Sequence, residues 1–356
     1  MLLSLIDALR KDGIESVAIT LREGWLTEQL DAKGIRRHLV SSPSSLDFRL
    51  PFKISQIIKS EGAHLVHSHL LDSNFYASIA AKIARVPHVG TEHGDVHHTK
   101  KKRFAKLKLL CSQLCGTRFT AVSSFTNNKL HDLGVSKKRS QVLPNPVVMP
   151  PDLSPEERRK LRSEFCGYDF EESAWLWIHV ANLRPVKNQQ LLIRAFQIAK
   201  EKSQVSQRFL IVGDGPEREG LENLAKELGV EGDIHFIGFR NDVPSCLAAS
   251  DGFLLSSLSE ALPVSLLEAG VAGLCLISTD VGGVRDVISE PSLGSLVPSE
   301  DYEAFAEAMI EVVNLDEQEK RLRREKIKEH IQNNFSESVV KERYVQLYRE
   351  LLGSGC

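Results

Sequence analysis

Apolar residues follow two different periods along this chain. Near the start they fall at Leu2, Leu5, Ile6 and Leu9, the spacing of an amphipathic helix. A short β-rich run follows at Ser16–Leu21, and Leu65–His69, His88–Thr91 and Phe119–Ser123 repeat the type between helical stretches such as Asn74–Ala84. Strands that alternate with helices predict a parallel sheet. The stretch Leu143–Pro151 holds four prolines in nine residues, which stops helix and strand and makes a stiff connection, so the domain boundary is placed there. Beyond it the alternation restarts. Strands are predicted at Trp175–Val180, Phe209–Val212, Ile234–Ile237, Gly252–Leu255 and Leu274–Ser278, with helices near Gln190–Glu201, Glu217–Leu228, Val264–Ala272 and Tyr302–Val313. The tail from Gln318 to Leu352 is charged and helical in period, with a break near Asn333–Ser336, where Ser336 is placed to cap a last helix. The expected organisation is therefore α/β: residues 1–148, a second doubly wound domain at 149–335, and a terminal helix at 336–356.

Composition narrows the class. A chain of 356 residues suits two domains, and 42% hydrophobic residues give each a core. Its 45 basic and 47 acidic side chains exclude an acidic tail and give no reason to expect a nucleic-acid partner. The six cysteines are scattered, without zinc-site spacing, which fits reduced thiols in a cytoplasm. No apolar run approaches the ~20 residues of a membrane-spanning helix. The first ten residues lack a basic leader and a cleavage site, so no signal peptide is expected and the chain is read as opening inside its first helix.

In an open parallel sheet, ligands gather beyond the carboxyl ends of the strands, and four such loops carry candidate chemistry. Ala181–Asn188 places Arg184 and Lys187 three residues apart before a helix, where cations and free N–H groups hold a phosphate; two solvated surface charges are the bland alternative. In Gly213-Asp214-Gly215-Pro216-Glu217 every residue has a sufficient structural reason, and the Gly-x-Gly alone is weak evidence for a nucleotide. Ser256–Ala269 places Glu260 in a loop and Glu268 about one turn inside the next helix, so two carboxylates face one crevice and suit vicinal hydroxyls. Either glutamate alone is explained by solvation or by a helix start. In Thr279–Asp286 the pair Gly282-Gly283 lets backbone N–H groups approach a phosphate, although a turn needs only one glycine. The four loops in this order are far more specific than any one.

Together these loops resemble those of the GT-B-fold retaining glycosyltransferases of the large group 1 family, family 4, whose signature is two glutamates separated by seven residues, as Glu260 and Glu268 are. The resemblance runs from about residue 10 to the C-terminus and includes His67-Ser68-His69, Glu92-His93-Gly94, Val122-Ser123 and Leu143-Pro144-Asn145. It implies two Rossmann-like doubly wound domains facing a cleft, with the C-terminal helix crossing back to the first domain. By resemblance Glu268 holds the donor ribose, and Glu260 with Ala261, Leu262 and Pro263 holds the donor sugar. Lys187 with a nearby arginine holds the diphosphate, Gly238, Phe239 and Arg240 lie against the base, and Gly213, Gly215, Gly282 and Gly283 complete the donor site. Asn182 stands where many members carry arginine, which leaves that charge to Arg184 or leaves it absent. Ala261 replaces the usual glycine, and Asp286 the usual glutamate.

Seven of the twelve histidines lie between His64 and His98, yet their spacing, even with Asp72, completes no metal-hydrolase pattern, and no metal is expected. His93 is the exception by resemblance, matching a histidine near the donor sugar that orients a hydroxyl or the reacting centre. The basic run Lys100–Lys108 leads into Leu109 and Leu110; such runs are usually solvated, but residues 100–110 are read here as a seat on anionic lipid. Members of the family usually open with a strand and a glycine-rich loop before the helix that resembles Leu2–Arg10, and that piece is expected to be missing here, leaving a central strand position empty.

The resemblance implies a retaining, metal-independent hexosyltransferase without a cofactor. Its donor is UDP- or GDP-linked and its acceptor a glycan or a lipid-linked chain in polysaccharide or lipopolysaccharide biosynthesis. It is placed in the cytoplasm, peripheral at the inner face of the plasma membrane. The alternatives are a truncated nucleotide-sugar-binding relative without turnover, and a GT-B-like epimerase or phosphorylase, for which there is no cofactor-lysine signal.

Overall fold

The computed structural model describes residues 2–41, 47–94, 102–167 and 174–353. Two compact units emerge, one of Met1–Pro146 with Glu337–Cys356 and one of Val147–Ser336. In chain order the first unit contains α1 (Leu2–Lys11), β1 (Ala18–Thr20), α2 (Trp25–Ala32), β2 (Arg37–Leu39), α3 (Leu50–Ser60), β3 (Val66–His69), α4 (Leu71–Ala84), β4 (His88–Glu92), α5 (Lys102–Leu114), β5 (Arg118–Ala121), α6 (Ser124–Asp132) and β6 (Ser140–Val142). Its strands form parallel ladders in two pieces, β1-β2 and β3-β4-β5-β6. Among the described residues, β1 pairs only with β2 and β3 only with β4. These strands are accordingly half-buried, whereas β4, paired on both sides, is buried at every position. Ile19 of β1 and Val66 of β3 both pack on the core of Val40, Leu50, Ile54, Ile58, Tyr76 and Ala80, so α3 and α4 meet side chains of both pieces.

The second unit contains α7 (Pro155–Cys166), β7 (Trp175–Val180), α8 (Gln189–Lys202), β8 (Gln207–Val212), α9 (Arg218–Glu227), β9 (Ile234–Gly238), α10 (Val243–Ala249), β10 (Gly252–Leu255), α11 (Val264–Val271), β11 (Cys275–Thr279), β12 (Ser295–Val297), α12 (Tyr302–Asn314) and α13 (Glu317–Phe335). Its six strands are parallel in the order β12-β11-β10-β7-β8-β9. The central strand β7 is a nearly continuous apolar run, as a strand covered on both faces must be. Trp177, Phe196, Phe209, Leu254 and Phe305 form the middle of the core. Asp251, at the start of β10, fixes α7 to the sheet by accepting from Arg158 and Arg162, each at 2.7 Å, and from the Leu176 N–H at 2.8 Å.

The last helix, α14 (Glu337–Leu352), belongs to the first unit. Its Val340, Tyr344, Leu347 and Tyr348 close a core with Leu5, Leu9, Val89 and Leu143. Ser336 alone separates α13 from α14. Among the described residues no helix is long and apolar enough to cross a membrane. His97, His98, Lys100 and Lys101 lie outside the described residues, and α5 opens at Lys102.

Candidate functional site

The strand order of the second unit contains a switch point. From β7 the chain winds outward through β8 and β9, then returns to the other side of β7 as β10. The loops after β7 and β10 therefore leave neighbouring strands at the point where the strand order reverses, the place beyond the strand ends where ligands gather in such sheets. The loop after β7 is zipped to the loop after β8: Leu183 N–H donates to Asp214 O at 2.9 Å and Glu217 N–H to Leu183 O at 3.2 Å. Gly213 and Gly215 permit this closeness, because a Cβ there would lie 1.9 Å from Ala181 O and 2.3 Å from Leu183 O. From below, buried Gln189 donates to Asn182 O at 3.0 Å, and His179 lies 2.8 Å from Leu254 O. Burial pushes the His179 pKa down to about 4, so it supports the loop as a neutral ring.

Across the switch point, Ser256 Oγ donates to Lys187 O at 2.8 Å and Leu258 N–H to Val186 O at 2.8 Å. The chemistry-bearing side chains meet there. Lys187 Nζ donates to Glu260 Oε1 at 2.6 Å, and Ser257 Oγ donates to the same oxygen at 2.6 Å. The Glu260 backbone is clamped as well. Its carbonyl accepts from the Gly283 N–H at 3.0 Å, and Gly282, at φ +54°, packs so close that a Cβ would fall 1.8 Å from that oxygen. The glycine pair thus shapes the Glu260 loop, and the Gly283 N–H is already engaged by protein.

Pro263 ends this loop with extended backbone, and α11 carries Glu268 on its second turn, half-buried, with its carboxyl pushed up by burial. Leu262 is buried and Ala261 half-buried between the two glutamates. Phe239 stands 76% exposed. Arg240 is held by both oxygens of Asp242, at 2.7 and 2.6 Å, with its guanidinium over the Phe165 ring. Arg184 and Asn182 are exposed on the loop after β7. The structure thus brings Lys187 and Glu260 into contact and ties Arg240 elsewhere. Sequence reasoning did not single out Ser257, His179 or Gln189; only their places beside the strand ends could have signalled them.

In the first unit, His93 follows β4 and its Nε2 lies 2.9 Å from His69 Nδ1. Burial pushes both rings down, to about 4 and about 3, so they are neutral at physiological pH. His67 is spanned by Tyr348 and Thr91, and His88 by Ser68 and Thr117. Among the described residues no group of three side chains is placed to hold a metal. Glu92, buried beside them, accepts from Asn74 Nδ2 at 2.8 Å, and burial pushes its carboxyl up to about 7.

Comparison with known proteins agrees along most of the chain. Residues 1–149 match the family model described as Glycosyltransferase Family 4, and residues 165–329 match Glycosyl transferases group 1. The chain is 29% identical over 310 residues to N-acetyl-alpha-D-glucosaminyl L-malate synthase of Bacillus anthracis, covering 86% of this chain and 80% of that protein. It is 26% identical over 276 residues to the UDP-Gal:alpha-D-GlcNAc-diphosphoundecaprenol alpha-1,3-galactosyltransferase of Escherichia coli, covering 75% and 71%. Among solved structures, a glycosyltransferase of Rickettsia africae ESF-5 superposes with a TM-score of 0.86 at 20% identity, over 99% of this chain and 94% of that one. Anabaena Alr3699/HepE, solved with UDP and glucose, gives 0.80 at 19% identity over 98% and 95%. With two parallel-sheet units and both family models matched, the chain belongs to the group 1, family 4 glycosyltransferases of GT-B fold.

Proposed function

We propose that the chain moves a hexose, with retention at the anomeric carbon, from a UDP- or GDP-linked donor to a glycan or lipid-linked acceptor in cell-surface polysaccharide or lipopolysaccharide synthesis. The observation that carries this reading is the Lys187–Glu260 pair at the switch point of the second unit. A cation and a carboxylate in one crevice suit the two ends of a sugar diphosphate. Glu268 takes the ribose hydroxyls, and exposed Phe239 faces the base with Arg240 behind it. Glu260 and the backbone of Ala261, Leu262 and Pro263 take the sugar hydroxyls. Asn182, Gly213, Gly215, Gly282 and Gly283 give these groups their places.

In the transfer, the bond from the anomeric carbon to the diphosphate oxygen breaks. The acceptor oxygen bonds to that carbon on the same face, and its proton passes to the departing diphosphate. Lys187 and Arg184 stabilise the charge that develops there, without a metal. A diphosphate must draw Lys187 from Glu260, which frees the carboxylate for the sugar at the moment the donor binds. His93, in the acceptor-binding unit, orients a substrate hydroxyl. The named activity of the Escherichia coli relative supports a UDP-linked donor and an undecaprenol-linked acceptor, and that of a Campylobacter jejuni relative, 26% identical over 308 residues, also includes a PP-undecaprenol acceptor. On α5, Leu109 is buried in the core with Phe119 and Leu130 and so cannot face lipid, whereas exposed Phe104 and Leu107 sit beside exposed Arg103 and Lys106, a pattern that suits peripheral seating on anionic lipid at the cytoplasmic face.

The test is nucleotide release from a panel of nucleotide sugars in the presence of a lipid extract. One donor should give release that depends on the extract and falls by roughly 100-fold or more in Glu260→Ala. Release unchanged by that substitution would sink the enzymatic reading. Tight binding without release under every combination would mark a nucleotide-sugar-binding relative instead.

A further inference from the structure

His93 spends its Nε2 on His69 Nδ1, 2.9 Å away, with the rings tilted by 35°. A bond between two imidazoles contains one hydrogen. Because burial keeps both rings neutral, each carries one N–H, and only two arrangements exist. In one, His69 Nδ1–H donates to bare His93 Nε2, and the proton of His93 sits on Nδ1. In the other, His93 Nε2–H donates to bare His69 Nδ1, and the proton of His69 sits on Nε2.

The surroundings choose between them. His69 Nε2 is buried without a hydrogen-bond partner. The second arrangement would make it an orphaned N–H, which folded proteins tolerate less well than an unused acceptor. The first leaves only a lone pair. Asn145 Oδ1 is also buried without a partner, yet the Asn145 side chain lies near enough to raise the proton affinity of His93. A carbonyl oxygen acts this way beside an N–H, and Nδ1 is the nitrogen that His69 leaves open.

We infer that His69 is a positioning residue that locks His93 in its Nδ1–H tautomer, so that His93 presents a donor, and not an acceptor, to a substrate hydroxyl. The inference rests on the assignment of His93 to a substrate hydroxyl and adds what fixes it. An isolated neutral imidazole favours the Nε2–H form, so the protein has to impose the other one.

Nitrogen-15 correlation spectra of the full chain, labelled at histidine, read the tautomer directly near pH 7. The native protein should show His93 with its proton on Nδ1. In His69→Phe the His93 signal should move to the Nε2–H pattern, and kcat for nucleotide release should fall roughly 10- to 100-fold, with KM for the donor within about twofold. In His69→Asn, whose amide N–H reproduces the Nδ1 donor, the tautomer and most of kcat should return. A native His93 carrying Nε2–H, or a His93 tautomer that stays on Nδ1 in a folded His69→Phe protein, overturns the inference. Full turnover in His93→Ala overturns instead the assignment of His93, and the spectra distinguish the two failures.

Discussion

Glu260 is held from three directions, by Lys187 and Ser257 on its carboxylate and by Gly283 on its carbonyl. Gly282 is the residue least able to change, since its left-handed φ and its approach to Glu260 O both exclude a side chain. Gly282→Ala is therefore predicted to cost on the order of 2 kcal/mol and to displace the Glu260 loop. Thermal melts with and without UDP check this: the stabilisation by UDP should shrink together with the melting temperature, and a native melt with a native UDP shift contradicts the account. The placement of Glu260 in a loop and of Glu268 about one turn inside the next helix was legible in the sequence, because one loop and one helical turn set their spacing. Arg240 was not, because its tie to Asp242 is a matter of side-chain direction that spacing does not carry. The glycine pair was read as a phosphate contact, whereas its geometry shows what it does for the neighbouring loop.

At the scale of elements, β4 draws the polar interior of the first unit together. Glu92 is 2% exposed, and its only charge-free form is the protonated one. Its folded pKa, about 7, lies above the ordinary 4.5, so the folded state holds the proton more tightly. That contribution is complete below about 4.5, is lost as pH rises through about 7, and amounts to about 3 kcal/mol at most. His69, His88 and His93 slope the other way: their folded values of about 3 to about 4 lie below 6.5, so the stability they allow is lost as pH falls from 6.5 toward those values. The difference between the parent and Glu92→Gln isolates the first effect. Urea unfolding of the first unit should show the parent gaining relative to Glu92→Gln as pH is lowered from about 8 to about 5. A difference independent of pH contradicts it. Long strands such as β7 were legible from their apolar runs. Of the three-residue strands, β1 was legible only because it lies in the longer β-rich run Ser16–Leu21, whereas β2, β6 and β12 have no such flanks and so short a segment shows no period.

For the whole molecule, two doubly wound units were legible from the restarted alternation after the proline-rich stretch. That the last helix completes the first unit was a matter of resemblance, because a charged helical period does not say which core it joins. The packing now supplies the reason: Tyr344 and Tyr348 are buried with Leu5, Leu9 and Val89, and Tyr348 O–H lies 2.7 Å from His67 Nδ1. Removing one such ring costs about 3 to 5 kcal/mol, so Tyr348→Ala should lower the unfolding transition of the first unit and leave that of the second in place. Calorimetry resolves the two. A single transition lowered as a whole would contradict units that unfold separately.

The central claim is that the crevice at the switch point of the second unit holds a nucleotide-sugar donor through Lys187, Glu260 and Glu268. Calorimetric titration of the purified chain with UDP- and GDP-sugars addresses it most directly. The account predicts one donor bound at a single site, weakened roughly tenfold or more by Glu268→Ala and by Lys187→Ala, each without loss of the folded state. Binding of equal strength in both variants, or no binding of any nucleotide sugar by the parent, contradicts it.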